Sequence, residues 1–406
     1  MNVIRAYYLD ELHKYSEFNL IKVLTGIRRA GKSTIMKLYI DRLLNLGIEQ
    51  RHIQHYNLDD PKTVKELGED WNSIFFSIID KVDEDKTNYI FLDEVQEIEK
   101  FEKLLNGLYI QENVNLFVTG SNSKLLSSEL ATLLTGRSIE IHVLPYSFKE
   151  YTLALQTTEN IQELFVNHYF LESSLPESVK IRKHGMDAVL NYVDGVYHSI
   201  LEKDIYPRIK DVNRRMFENV YKFVLANIGS EISPSSIAKA LKQDGINVHH
   251  KTVSDYLDRL CDSYLLYRAH RFDIRGKQQL ATLEKYYVPD LALRYLLVGR
   301  SDFVDRGHLL ENLVYLELVR RGGQIWIGKI NALEVDFVVK KNDGTIEYYQ
   351  VAYNLNDEKT IQRELASLNA IRDNYPKTIL STDLFEGNEN GILLKNVVKW
   401  MNEDII

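Results

Sequence analysis

One stretch limits what this chain can fold into more than any other: Gly26-Ile-Arg-Arg-Ala-Gly31-Lys32-Ser33-Thr34. Residues 21–25, IKVLT, are a short β-rich run, and IMKLYIDRLLNLG downstream has helical spacing. Strand, glycine loop and helix, with G-x-x-x-x-G-K-S at the junction, predict a phosphate cradle. Gly26 and Gly31 let the backbone wrap so that N–H groups, that of Ala30 among them, point inward. The helix N-terminus at Lys32 adds a positive dipole end. Lys32 is placed to reach the β- and γ-phosphates of a nucleotide, Ser33 to hold Mg²⁺, and Thr34 to touch the α-phosphate. Arg28 and Arg29 sit in the variable part of the loop, where loop amides already supply the cradle; an interface or nucleotide-coupling role suits them better than an essential cationic one.

Such a loop needs a metal partner and a base. YIFLDE, residues 89–94, is an apolar run ending in two acids. Alone it reads as a strand entering a loop; about 60 residues after a phosphate loop, Asp93 reads as the residue orienting the Mg²⁺ shell and Glu94 as the one polarising an attacking water. A third strand, starting at Leu116, ends in Thr119-Gly120-Ser121-Asn122. In a parallel sheet such ends line the ligand crevice, so Ser121, and after it Asn122, are candidate sensors of the γ-phosphate; a plain turn is the simpler alternative.

These motifs resemble the AAA+ ATPases, and more narrowly a prokaryotic AAA+ group, through GIRRAGKST, FLDEVQ, VTGSNS, LLTGR and LPYSFKEY. The resemblance implies Mg²⁺-dependent ATP hydrolysis, a homo-oligomeric ring with a hexamer favoured, and a catalytic role for Arg137 of LLTGR, reaching the γ-phosphate of a neighbouring subunit. A solvated arginine at a strand start is the plainer reading of the same residue. The resemblance also implies a helical lid after the ATPase core. Its relatives often carry Gly-Gly-x-Pro in the lid, where this chain has Ser173-Ser174-Leu175-Pro176.

Residues 213–290 follow a different pattern. A first helix, MFENVYKFVLANIG, precedes Ser233-Pro234, a strong helix start. SSIAKALKQDG, a short link, a third helix and two strands then give the winged-helix order. This segment holds 12 basic and 9 acidic residues, net +3, in a chain of net charge −8, so the remainder carries −11. The asymmetry favours a local DNA contact, with His250 and Lys251 opening the recognition helix and Arg271, Arg275 and Lys277 in the wing. A winged helix used for protein contacts is the alternative.

The last block runs helix, three strands, helix, strand, and resembles the PD-(D/E)xK restriction-endonuclease fold. Asp336 matches the first acid and Glu311 the helix acid, but the acid-x-Lys position reads Gln350-Val351-Ala352. Glutamine is a poor Mg²⁺ ligand and alanine does no chemistry, so a disarmed scaffold is expected.

The expected organisation is α/β: a P-loop AAA+ parallel-sheet domain (1–155), a helical lid (156–212), a winged helix (213–290) and a degenerate restriction-endonuclease-like α/β domain (291–406). Its cofactors are ATP and Mg²⁺. No apolar run approaches the roughly 18 residues of a membrane span, and the single cysteine, Cys261, permits no internal disulfide. A cytoplasmic protein with no membrane partner is therefore expected. The function expected is ATP hydrolysis coupled to DNA binding, remodelling or translocation. The alternative is a nucleotide-driven switch on a protein partner, favoured by the acidic net charge and the disarmed nuclease-like site.

Overall fold

The computed structural model describes residues 3–121, 136–299, 306–355 and 358–404. Contacts divide the chain into two units, one of residues 1–145 with 262–264, the other of 146–261 with 265–406. The expected segments 156–212, 213–290 and 291–406 thus fall in one unit, apart from the three residues 262–264. No helix of the described residues is long and apolar enough to cross a membrane.

The first unit is a parallel sheet with helices. Its elements are α1 (Ala6–Ser16), β1 (Ile21–Thr25), α2 (Lys32–Asn45), β2 (Ile53–Asn57), α3 (Pro61–Leu67), α4 (Trp71–Ile79), β3 (Asn88–Asp93), α5 (Phe101–Tyr109), β4 (Val114–Thr119) and β5 (Ser138–His142). The strand order is β2-β3-β4-β1-β5, with every pairing parallel. All of β1 and β4 is buried, as expected of central strands covered on both faces. Helix α2 buries Ile35, Met36, Tyr39 and Leu43, one stripe at helical spacing. Tyr39 meets Phe117, which stacks on Phe91 at 4.6 Å between ring centroids. Register sets the strand ends level: Leu24 pairs with Thr119, Leu92 with Val118 and Asn57 with Asp93. The loop after β1, the acids after β3 and the polar residues after β4 therefore meet at one edge of the sheet.

The second unit contains β6 (Tyr267–Asp273), β7 (Gln278–Tyr287), β8 (Gln324–Ile330), β9 (Leu333–Lys340), β10 (Ile346–Ala352), β11 (Lys377–Ser381), β12 (Gly387–Glu389) and β13 (Ile392–Asn396). They form one mixed sheet in the order β12-β13-β11-β10-β9-β8-β6-β7. The three helices anticipated before the hairpin are present as Arg214–Ala226, Pro234–Gln243 and His250–Asp262. The second opens with a capping box from Ser233 to Ser236 and proline in its first turn. The hairpin is not a free-standing wing: β6 pairs with β8 in parallel, and Phe272 stacks on Trp326 at 5.2 Å. The pairing gives β8 a neighbour on its open side, which would otherwise be an unprotected edge. The Ser173-Ser174 turn is held by Asp290, whose carboxylate accepts from the Ser174 N–H at 2.6 Å and from both serine hydroxyls at 3.0 Å.

A charged residue sits inside the first core. Lys22 of β1 is fully buried, donating to the Leu20 carbonyl at 2.8 Å and to Asn115, with its ammonium 4.9 Å from the Phe117 ring. Burial pushes its pKa down to about 7. In the unfolded chain it titrates near ~10.4. Below pH 7 both states are protonated and the buried ammonium weighs fully on the fold. Between those values the unfolded chain binds the extra proton, so stability rises with pH, by at most about 1.4 kcal/mol per unit. Lys22→Met should therefore stabilise the protein most at pH 6, and its advantage over wild type should shrink as pH rises towards 10. Urea midpoints of both proteins across that range check this; an advantage that does not change with pH would contradict it.

Candidate phosphate-binding site

The loop between β1 and α2 turns through left-handed backbone at three positions, Gly26 (φ 128°), Arg29 (φ 66°) and Gly31 (φ 100°). At Gly26 a Cβ would lie 2.1 Å from the Val143 carbonyl oxygen, so only glycine fits against the chain beyond β5. Lys32 opens α2, and its buried ammonium donates to the carbonyls of Gly26 at 2.8 Å and Ile27 at 3.1 Å. The lysine closes the loop on itself. Ser33 and Thr34, half-buried, follow in the first turn of α2.

The acid pair is built by its neighbours. Asp93 ends β3, buried, and its carboxylate accepts from the hydroxyl of Thr119 at the end of β4. The same Thr119 oxygen accepts from the Glu94 N–H at 2.9 Å. One hydroxyl thus ties both acids to the neighbouring strand. Glu94 has φ 56° and ψ 52°, a left-handed conformation that costs a non-glycine residue about 1–2 kcal/mol. Gln96 Nε2 donates to the Glu94 carboxylate and lies 3.4 Å from the Ser121 hydroxyl. The structure therefore brings Lys32, Asp93, Glu94 and Ser121 to the same sheet edge. The Gln96 Oε1 atom is buried there without a hydrogen-bond partner among the described residues. An acceptor in want of a donor, next to a carboxylate and a hydroxyl, fits a site that holds a water. The hard oxygen donors Ser33 and Asp93 suit Mg²⁺. Asn122 lies outside the described residues.

The two loop arginines separate. Arg28 lies 3.8 Å from Glu97, in the turn after β3, while Arg29 is exposed. Arg5 is the cation that sequence reasoning missed. Buried ahead of α1, it donates to the Ala30 carbonyl at 2.9 Å and to that of Leu144 at 2.8 Å, and lies over the Tyr8 ring at 4.5 Å. It bonds the phosphate loop to the chain leaving β5. Thr119 and Gln96 were missed as well. Gln96 stands two residues from Glu94 and Thr119 two from Ser121, local signals that Arg5 lacks.

Arg137 is elsewhere. It precedes Ser138, which pairs with Ile21 at the start of β1, so it sits at the sheet edge opposite the loop. Its guanidinium donates to Asn106 at 2.6 Å and lies 5.4 Å from the Tyr109 ring. Of the residues expected to contact DNA, His250 and Lys251 are exposed at a helix start, the His250 ring against that of His249 at 4.2 Å. Arg275 and Lys277 are exposed at the β6–β7 turn. Arg271 is placed differently from the other four: its side chain is 11% exposed and pairs with Glu231 at 2.9 Å. Its position in β6, next to β8, accounts for this.

Residues 18–152 match the family model described as an AAA domain, which spans the phosphate loop, both acids and Ser121. Residues 163–303 match a domain of unknown function, DUF8612, which crosses the expected boundaries at 212 and 290. A Haemophilus influenzae protein described as "Uncharacterized protein" is 33% identical over 405 residues, covering 98% of each chain. The Methanocaldococcus jannaschii "Uncharacterized protein MJ1544" is 29% identical over 371 residues, covering 87% of this chain and 79% of that one. Among solved structures, the Walker-type ATPase PABY2304 of Pyrococcus abyssi aligns with TM-score 0.49 and 16% identity, covering 73% of this chain and 95% of that one. The Aeropyrum pernix ORC1 protein in complex with DNA aligns with TM-score 0.32 and 14% identity, covering 73% and 93%. With a relative matched over 98% of both chains and an AAA domain laid over the phosphate loop, the chain belongs to the family of the Haemophilus influenzae protein and carries an AAA domain at residues 18–152.

Proposed function

We propose that the first unit binds Mg²⁺–ATP and hydrolyses it to ADP and phosphate. The observation that carries this reading is one sheet edge at which Thr119 and Gln96 join Asp93, Glu94 and Ser121, beside the loop that Lys32 closes. When phosphates enter the loop, Lys32 exchanges the Gly26 and Ile27 carbonyls for β- and γ-phosphate oxygens, and the amides of the first turn of α2 meet the phosphate chain; the Ala30 N–H, expected among the cradle donors, is instead taken by the Ile27 carbonyl at 3.2 Å. Ser33 and Asp93 would hold Mg²⁺, which would supply charge neutralisation on the phosphates. Glu94 takes the proton of the attacking water, with Gln96 and Ser121 orienting that water. Arg137 faces away from this edge in its own subunit, which supports a role at a neighbour's γ-phosphate in a homo-oligomer, a hexameric ring being favoured.

The second unit carries the effector. Its segment 213–290, net +3, presents His250, Lys251, Arg275 and Lys277 to solvent, which supports DNA binding by a winged helix. Hydrolysis would then drive DNA remodelling or translocation. The commitment of Arg271 to Glu231 and the acidic remainder favour the second reading, a nucleotide-driven switch acting on a protein.

Steady-state hydrolysis tests both readings. Wild type should hydrolyse ATP only with Mg²⁺; Lys32→Ala should fall to background, and Glu94→Gln should bind ATP but lose about 10²–10⁴ in kcat. Single strands, duplex and four-way junctions should be compared in the same assay. Stimulation by one of them that falls steeply with salt supports the DNA reading. Hydrolysis indifferent to all three leaves the protein switch, and no Mg²⁺-dependent hydrolysis under any condition would overturn the ATPase proposal itself.

Arg5 gives a second test. Arg5→Ala removes the charged hydrogen bonds that tie the phosphate loop at Ala30 to the chain leaving β5 at Leu144. It should weaken ATP binding about tenfold, the effect of ~1.4 kcal/mol, with kcat changed far less; Arg5→Lys should recover part of the affinity. Equal loss of affinity in both, or a loss confined to kcat, would contradict the positioning role.

A further inference from the structure

The second unit holds its own buried ionic cluster. Glu311 comes from the helix Arg306–Arg321, Glu334 and Asp336 from β9, Gln350 from β10, and Lys285 and Tyr287 from β7. The Lys285 ammonium, 3% exposed, lies 2.9 Å from Glu311 Oε1 and 2.7 Å from Glu334 Oε1. The Tyr287 hydroxyl donates to the same Glu311 oxygen at 2.6 Å. Asp336 Oδ2 accepts from the Val351 N–H at 2.7 Å, and the Asp336 N–H donates to Gln350 Oε1 at 3.3 Å. Two strands, β8 and β6, separate β9 from β7 in the sheet order. That one lysine still spans them requires the sheet to coil strongly.

The acids expected from the sequence do converge, and the cation among them comes from the hairpin rather than from position 352. Burial pushes the Asp336 carboxyl well above its ordinary range, the Glu311 charge adds to this, and Lys285 opposes it. Burial works against the Lys285 charge, but Glu311, Asp336 and Glu334 outweigh it and hold the ammonium protonated. Carboxylates from a helix and a strand this deeply buried require a counter-charge. Oxygen donors of this kind can also take a divalent cation. Among the described residues, no group of three His, Cys, Asp or Glu side chains is arranged to hold a metal ion.

We propose that the Lys285 ammonium is the resident counter-ion of this cluster, supplying beside Glu311 and Glu334 the positive charge that a divalent cation would bring. The second unit is then closed without metal, and the base of the β6–β7 hairpin is pinned to β9 and to the helix Arg306–Arg321 by charge. Asn312, next to Glu311, reinforces the pin by exchanging two hydrogen bonds with the Val288 backbone, at 2.7 and 2.9 Å.

The test uses the full chain without nucleotide, with Mn²⁺ as the probe. Wild type and Asp336→Asn should show the same Mn²⁺ binding by electron paramagnetic resonance, because the cluster takes none. Lys285→Ala should melt at lower temperature than wild type and regain stability as Mn²⁺ is raised through the millimolar range, and Lys285→Ala/Asp336→Asn should lose that recovery. Mn²⁺ binding by wild type that Asp336→Asn abolishes would overturn the proposal, as would a folded Lys285→Ala indifferent to Mn²⁺. If Lys285→Ala does not fold, the wild-type comparison decides alone.

Discussion

The loop at residues 26–31 leaves backbone carbonyls facing inward, and two buried cations answer them. Lys32 binds the carbonyls of Gly26 and Ile27 from one side, and Arg5 binds those of Ala30 and Leu144 from the other. The rest of the first unit depends on this arrangement. A loop with three left-handed residues has little intrinsic stability. Charged hydrogen bonds, each worth about 1.5–3 kcal/mol, hold its shape. Gly26 must then press against Val143, which fixes where the chain leaves β5. On the proposed reading, phosphates compete for one of the two cations and leave the other in place. The loop can then change partners without losing its shape.

The second constraint is the Thr119 hydroxyl. It donates to Asp93 and accepts from the Glu94 amide, so the acid pair is positioned by the strand beside it. That bond helps to offset the left-handed backbone of Glu94, a strain of the kind met at functional sites. Gln96 extends the link to Ser121, and Arg28 reaches Glu97 in the same turn. Gln96 and Arg28 thus set the turn after β3 beside the end of β4 and the loop, at 3.4 and 3.8 Å.

What was legible in the sequence divides along contact distance. The meeting of Lys32, Asp93, Glu94 and Ser121 at one sheet edge was readable because each stands within a short run at the end of a strand or the start of a helix. The strand-loop-helix start and the parallel sheet followed from the same runs. Arg5 was not readable: it acts on carbonyls 25 and 139 residues away. Lys285 was counted only as one more basic residue of the segment 213–290, since nothing near it in sequence shows that β7 ends beside Glu311 and Glu334. The β6–β8 pairing was missed for a related reason. A hairpin reads from its own turn, whereas a parallel pairing across an intervening helix leaves no local mark.

The account rests on a nucleotide entering the loop at residues 26–34 and being felt at the acid pair. Amide hydrogen exchange on the full chain, with and without Mg²⁺ and a non-hydrolysable ATP analogue, tests this most directly. The account predicts protection concentrated at 26–34, with a second protected stretch at 93–97 where Glu94, Gln96 and Glu97 answer the loop. Exchange unchanged in both stretches at saturating analogue, or protection appearing only elsewhere, would contradict it.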